Sequence, residues 1–275
     1  MAVIAGALEP SFCEAVIADR LAGIGVDERD RSTWLDGWHN LPVTTTYPIR
    51  DVAPLAAAAL DELVGGLEAC TFADIPDNLI VNFPEPQAAW WSPDEWEAPG
   101  AGWHKDGDWF RHFLDSPEQG LLMIVFWRDV VARQGATYVV GDSVAPVARL
   151  LAEHPDGLSP TEVVATLPQL VAECSDFRAL TGRQGTIVLA HPFLVHSRSV
   201  NALDRLRIIS NTSVMLRQPM VFDRDDGRST AVEQSILAAL GLTRLDYRAG
   251  PRAKVESERE ARWRGAVSPD PRSPR

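Results

Sequence analysis

The segment AGWHKDGDW, residues 101–109, places His104 and Asp106 two positions apart. Side chains at i and i+2 of a strand leave the same face, so an imidazole and a carboxylate at this spacing can share one small ligand. A catalytic iron(II) uses two histidines and one carboxylate on one side and keeps the other side open to reactants. His104 and Asp106 supply two of those three groups. The third must come from a distant strand, and QGTIVLAHPFLVHSRSVNALDRLRIIS, residues 184–210, offers both His191 and His196. H-x-D pairs also arise by chance, so the spacing alone leaves a purely structural role open.

The elements that must position such a triad read as strands. NLIVNF (78–83), GLLMIVFW (120–127), ATYVV (136–140), TIVLA (186–190) and LRIISNTSVML (206–216) are short, apolar and rich in β-branched residues. Apolar residues recur at helical spacing over 10–24 and 53–70. Three further helices are expected at SVAPVARLLAEH, SPTEVVATLPQLVAEC and STAVEQSILAAL. The second has Ser159, Pro160 and Glu162 spaced as a capping box with proline at N1, and the third pairs Thr230 with Glu233 in the same way. Without regular βαβ alternation a doubly wound parallel sheet is disfavoured. The pattern predicts a mainly β fold with flanking helices, an antiparallel sandwich or jelly roll whose interior can hold a ligand. One domain is expected over 1–249, with a tryptophan-rich insertion near 84–103 and a charged, proline-containing, flexible tail over 250–275.

Bulk composition narrows the function classes. A net charge of −12 over 275 residues disfavours nucleic acid as a partner. The longest apolar runs are strand-length, well short of the roughly 20 residues a membrane helix needs. The first residues, MAVIAGALEP, lack a basic stretch, so no signal peptide is expected. Cys13, Cys70 and Cys174 are an odd number at irregular spacing, with no C-x-x-C pair. They predict free thiols and a reduced, cytoplasmic setting. The expected partner is a small-molecule substrate, and the sequence leaves the oligomeric state open.

Taken together and in order, these motifs are similar to those of the phytanoyl-CoA dioxygenase family of iron(II)/2-oxoglutarate oxygenases. The resemblance covers roughly residues 10 to 217 and rests on the N-terminal helix, NLIVNF, GWHKDGDW, FWRDVVARQGATYVVGDSV and LVHSRSVNALDRLRI. It implies a double-stranded β-helix, which is the cupin-like variant of the jelly roll. It implies Fe(II) as the metal, with 2-oxoglutarate and O2 as cosubstrates. It also implies that His196, rather than His191, completes the metal set with His104 and Asp106. Arg207, eleven residues after His196, is then the residue that takes the distal carboxylate of 2-oxoglutarate. The chemistry agrees, because a guanidinium is a rigid fork that grips a carboxylate and stays charged when buried. Arg205 is the rival by strand alternation. Asn82, Trp127 and Thr137 are further cosubstrate contacts by position. One departure stands out. Members of the family commonly carry a small hydroxyl residue two positions after the distal histidine, whereas Arg198 stands there, between Ser197 and Ser199. A carboxylate at 106 implies hydroxylation, desaturation or ring closure, since family members that halogenate have a small residue there.

The substrate is the least legible part. Trp90, Trp91, Trp96, Trp103 and Trp109 crowd one stretch with Asp94, Glu95, Glu97 and Asp108. As a lid over the metal they would suit a small polar, cationic or sugar-like natural-product intermediate. As a loop packed on itself they would say nothing about the substrate. Strand alternation turns Lys105 away from the metal side, and His39 and His112 are candidates for the mouth or for packing. Two other readings share the same cage: a divalent-metal hydrolase or isomerase, and a non-catalytic binding module.

Overall fold

The computed structural model describes residues 1–85, 102–225 and 227–252. Trp90, Trp91, Trp96, Asp94, Glu95, Glu97 and the tail beyond Arg252 lie outside the described residues. In chain order the described elements begin with β1 (Ala2–Ile4), α1 (Pro10–Ala22), β2 (Trp38–Asn40), β3 (Thr46–Tyr47), α2 (Ile49–Val52) and α3 (Pro54–Val64). Then come β4 (Cys70–Phe72), β5 (Ile75–Pro76), β6 (Ile80–Asn82), β7 (Leu121–Phe126), β8 (Thr137–Val140), α4 (Val144–Ala152) and α5 (Pro160–Ala172). The last are β9 (Phe177–Leu180), β10 (Ile187–Ala190), β11 (Val195–Arg198), β12 (Arg207–Leu216) and α6 (Ala231–Ala239).

Every pairing of these strands is antiparallel. The large sheet runs β1-β10-β7-β12-β6-β2, with β4 also on β12, and the small sheet runs β11-β8-β9. From β7 onward the chain passes between the two sheets: β7 large, β8 and β9 small, β10 large, β11 small, β12 large. That winding is the double-stranded β-helix, and it is why residues far apart in sequence meet between the sheets.

The central strand β7 explains its own unbroken apolar sequence. Leu122, Ile124 and Phe126 point into the cluster between the sheets, with Val139, Val188 and Ile209. Leu121, Met123 and Val125 point the other way, into the core under the helices. A strand buried on both faces shows no alternation. Each such side chain contributes about 1.5–3 kcal/mol of burial.

Both capping boxes form. Ser159 and Thr230 accept from the backbone N–H of Glu162 and Glu233, whose carboxylates reach back to the cap residues' N–H. The helical pattern over 53–70 is cut short at Val64, because Gly65 adopts φ +79°, which ends the helix. β9 and β11 carry too few apolar residues to be flagged by composition. All three cysteines are free thiols, as their count and spacing predict. At the C-terminal end Gly250 N–H donates to Pro155 O, and Arg252 pairs with Asp115 at 2.5 Å. These contacts hold residues 250–252 against the rest of the chain.

Ser143, the serine of the GDSV segment, ties β11 to β8. Its hydroxyl donates to Val140 O at 2.7 Å and accepts from Val195 N at 2.9 Å, in a fully buried position. Ser143→Ala leaves the buried Val195 N–H without its acceptor, while Val140 O keeps the backbone bond from Ser143 N, and the loss costs about 1–3 kcal/mol. Urea denaturation should read that loss, and an unchanged midpoint would remove Ser143 from this role.

Candidate metal centre

His104 and His196 are held against each other by their backbones. The two residues exchange N–H···O=C bonds of 2.9 Å in both directions, an isolated antiparallel bridge that extends the small sheet beyond β11. Asp106, two residues after His104, turns the same way. Its Oδ1 lies 3.6 Å from His104 Nε2 and 3.5 Å from His196 Nε2. One ligand atom from each of the three residues lies within 4.8 Å of the others, so they can converge on one ion.

The surrounding bonds fix which atoms face inward. His104 Nδ1 is 2.9 Å from Gly102 O, and His196 Nδ1 is 3.1 Å from Leu194 O. A carbonyl only accepts, so both Nδ1 atoms carry the proton and both Nε2 lone pairs are left for a ligand. His196 Nε2 is buried without a hydrogen-bond partner. Asn211 on β12 donates to Asp106 Oδ2 at 3.0 Å, which leaves Oδ1 toward the histidines.

Electrostatics follow from this packing. Burial works against the Asp106 carboxylate, but His196, His104 and Lys105 outweigh it and hold Asp106 well below the usual carboxylate range. Burial likewise opposes the His196 cation, and the neighbouring Asp106 carries its pKa above the ordinary value. For His104 burial wins, reinforced by His196, and its pKa falls. Two imidazoles and a carboxylate, with an inward nitrogen left unpartnered, are a donor set that fits iron(II). The same set also serves a catalytic zinc, so the donors alone do not choose between them.

Farther along the same interior, β12 opens with Arg207. It is 2% exposed, and its Nε donates to Gly135 O at 2.7 Å. Its Nη1 is buried without a partner. Burial, then the charge of Arg198, lowers its pKa to about 9, so it remains a cation at neutral pH. Asn82 on β6 is its cross-strand partner, and Asn82 Nδ2 is a second buried donor without an acceptor. Gly135 makes room for Asn82: it sits at φ +70°, and a Cβ there would lie 2.9 Å from Asn82 Nδ2. Thr137 is buried on β8. It stands two residues from Val139 of the interior cluster and therefore shares its face.

Several sequence-predicted residues lie elsewhere. Trp127 is a correction. Alternation puts Phe126 inside and Trp127 outside, where its indole N–H donates to Ser210 Oγ at 2.9 Å and its ring lies 6.0 Å from Phe12 of α1. Arg205 precedes β12 and is exposed, so it is no rival to Arg207. His191 is outside the cluster: its Nδ1 accepts from Phe193 N at 3.1 Å, and burial drives its pKa down to about 3. Lys105 does turn away from the metal ligands. Its ammonium donates to Gln119 Oε1 at 2.8 Å and lies 3.0 Å from His112 Nδ1, with the Phe110 and Phe193 rings 5.4 and 5.8 Å away. His112 is therefore interior, behind the site. His39 bonds to Asp36 O, outside the interior. Trp103 is buried against Phe177 at 5.7 Å, and Trp109 is 36% exposed.

Asn211 was not anticipated, although the signal was present, since it lies four residues after Arg207 on one strand and hence on the same face. Asn211→Ala should lower divalent-metal affinity about 10–100-fold, the usual cost of losing a group that orients a ligand. Equilibrium dialysis checks this; affinity within twofold of the parent would show that Asp106 needs no such support.

No family model matches the sequence, and no curated protein matches it. Among solved structures the chain is similar to SnoK, a non-heme alpha ketoglutarate dependent carbocyclase from nogalamycin biosynthesis, at 15% identity and TM-score 0.42, covering 94% of this chain and 89% of that one. It is also similar to HygX from Streptomyces hygroscopicus, solved with nickel and 2-oxoglutarate bound, at 12% identity and TM-score 0.44, covering 94% and 93%. EctD from S. alaskensis follows at 16% identity and TM-score 0.39, covering 76% and 70%. The fold stands on its own sheet order.

Proposed function

We propose that this chain is an iron(II)/2-oxoglutarate-dependent oxygenase that hydroxylates, or otherwise oxidises a C–H bond of, a small molecule. The observation that carries the reading is Arg207: a buried guanidinium with an unpartnered Nη1, in the same interior as the His104, Asp106 and His196 cluster. A buried cation is costly unless an anion meets it. A dicarboxylate cosubstrate reaching from the metal ligands to Arg207 supplies one. A hydrolase or isomerase has no use for that cation, and a binding module has no use for two histidines turned inward beside a carboxylate.

The geometry supports the following roles. His104, Asp106 and His196 hold the metal, which when bound couples O2 and 2-oxoglutarate to substrate oxidation and yields succinate. Arg207 binds the distal carboxylate of 2-oxoglutarate, with Asn82 as a neighbouring donor and Thr137 on the facing strand. Asn211 orients Asp106. The apolar wall of Leu122, Ile124, Val188 and Ile209 keeps water from the reacting end. The substrate class, a small polar, cationic or sugar-like compound, rests on the tryptophan and carboxylate content of 90–109 alone. Succinate release from 2-oxoglutarate in air, dependent on added iron(II) and slow without the primary substrate, tests the reading. Its absence under every metal tried would reject it.

A further inference from the structure

Arg198 has no task in the reading above. It lies two residues beyond His196 on β11, so it leaves the backbone on the same face, roughly 6–7 Å farther along the strand. The register agrees: His196 stands opposite Val139 of the interior cluster, and Arg198 stands opposite Thr137. Trp38 reaches the same rim from the other sheet, because it is the cross-strand partner of Asn82, which in turn pairs with Arg207. The Arg198 guanidinium rests 5.3 Å from the centre of the Trp38 ring, and its Nη1 is 3.4 Å from Glu85 Oε1. Its side chain is 50% exposed. One end of the interior thus faces two guanidinium groups, Arg207 buried and Arg198 at the rim, with Glu85 as the carboxylate on the outer one.

We infer that Arg198 is a second arm for the carboxylate that Arg207 receives, parked on Trp38 and Glu85 until the acid arrives. The inference rests on Arg207 being the cosubstrate clamp. The physical case is an exchange of partners. A long, half-exposed ion pair at 3.4 Å contributes little. A carboxylate shared between two guanidinium groups in a drier place gains charge-assisted bonds. The exposed side chain can swing on a nanosecond scale. The acid also relieves the repulsion that Arg198 exerts on Arg207. Glu85 therefore competes with the ligand for Arg198, and the two residues must affect binding in opposite directions.

Calorimetric titration of 2-oxoglutarate into the anaerobic iron(II) protein tests this with four proteins: the parent, Arg198→Gln, Glu85→Gln and Arg207→Gln. Arg198→Gln should weaken binding about tenfold, the loss of one charge-assisted contact. Glu85→Gln should tighten it severalfold. The parent should also show a change in tryptophan emission on binding that Trp38→Phe removes. Arg198→Gln within twofold of the parent overturns the inference while Arg207→Gln still weakens binding. Glu85→Gln and Arg198→Gln weakening binding together also overturns it, and shows a purely structural pair. A parent that binds no 2-oxoglutarate overturns both this inference and the function it rests on.

Discussion

His196→Ala leaves a folded protein that no longer holds a divalent ion. The imidazole is buried with an inward Nε2 that makes no hydrogen bond and lies 3.5 Å from Asp106 Oδ1, so its removal takes away a ligand. Structural metal sites with four ligands bind with about 10–16 kcal/mol, or about 2.5–4 kcal/mol per ligand, which corresponds to a drop in affinity of roughly 10²–10³-fold. His104→Ala should behave alike. Asp106→Ala should retain weak binding, because both histidines remain. The ligand-free melting temperature should stay close to that of the parent in all three. His191→Ala is the control: it should keep full affinity, because its Nδ1 is committed to Phe193 N. Equilibrium dialysis with iron(II) or manganese(II) reads the series. Loss of the ion in His191→Ala with retention in His196→Ala would reverse the assignment.

Arg207→Gln should weaken 2-oxoglutarate binding by roughly 10²-fold while leaving metal affinity unchanged. Removing one partner of a buried charge pair costs about 3–5 kcal/mol, and about 3 of these correspond to that factor. The stability of the ligand-free protein should move the other way. A buried cation with an unpartnered Nη1 is a cost that the fold carries for its ligand. Arg207→Gln should therefore unfold at the parent's temperature or above it. Arg205→Ala, on an exposed residue before β12, should leave binding within twofold. Titration of 2-oxoglutarate together with thermal melts checks both halves. A variant that binds normally but melts early would make Arg207 a structural residue.

The chemistry was more legible in the sequence than the packing around it. His104 and Asp106 were found by spacing, and the histidine and arginine of LVHSRSVNALDRLRI by resemblance. The structure brings His196 to the first pair through the backbone bridge to His104, and Arg207 to Asn82 through the β6–β12 register. The strands dense in β-branched and apolar residues were readable for the same reason that β7 is central: burial on both faces leaves a continuous run. β9, FRAL, and β11, VHSR, were not. Their polar residues serve the interior or the rim, so the hydrophobic signal is absent where the site is built. Position alone puts Trp127 at the site, whereas alternation from Phe126 turns it outward. Asn211 and the Lys105 box depend on which groups remain unpaired once the sheets close, and no spacing rule carries that information.

The most direct measurement is the visible absorption of the anaerobic protein with iron(II), before and after 2-oxoglutarate. If His104, Asp106 and His196 hold the metal and Arg207 holds the acid, a weak metal-to-ligand charge-transfer band appears on adding 2-oxoglutarate and saturates with it. In Arg207→Gln that band should require roughly 10²-fold more 2-oxoglutarate. No band in the parent at saturating iron and 2-oxoglutarate, with the metal shown to be bound, would contradict the account and leave a hydrolytic or non-catalytic metal site in its place.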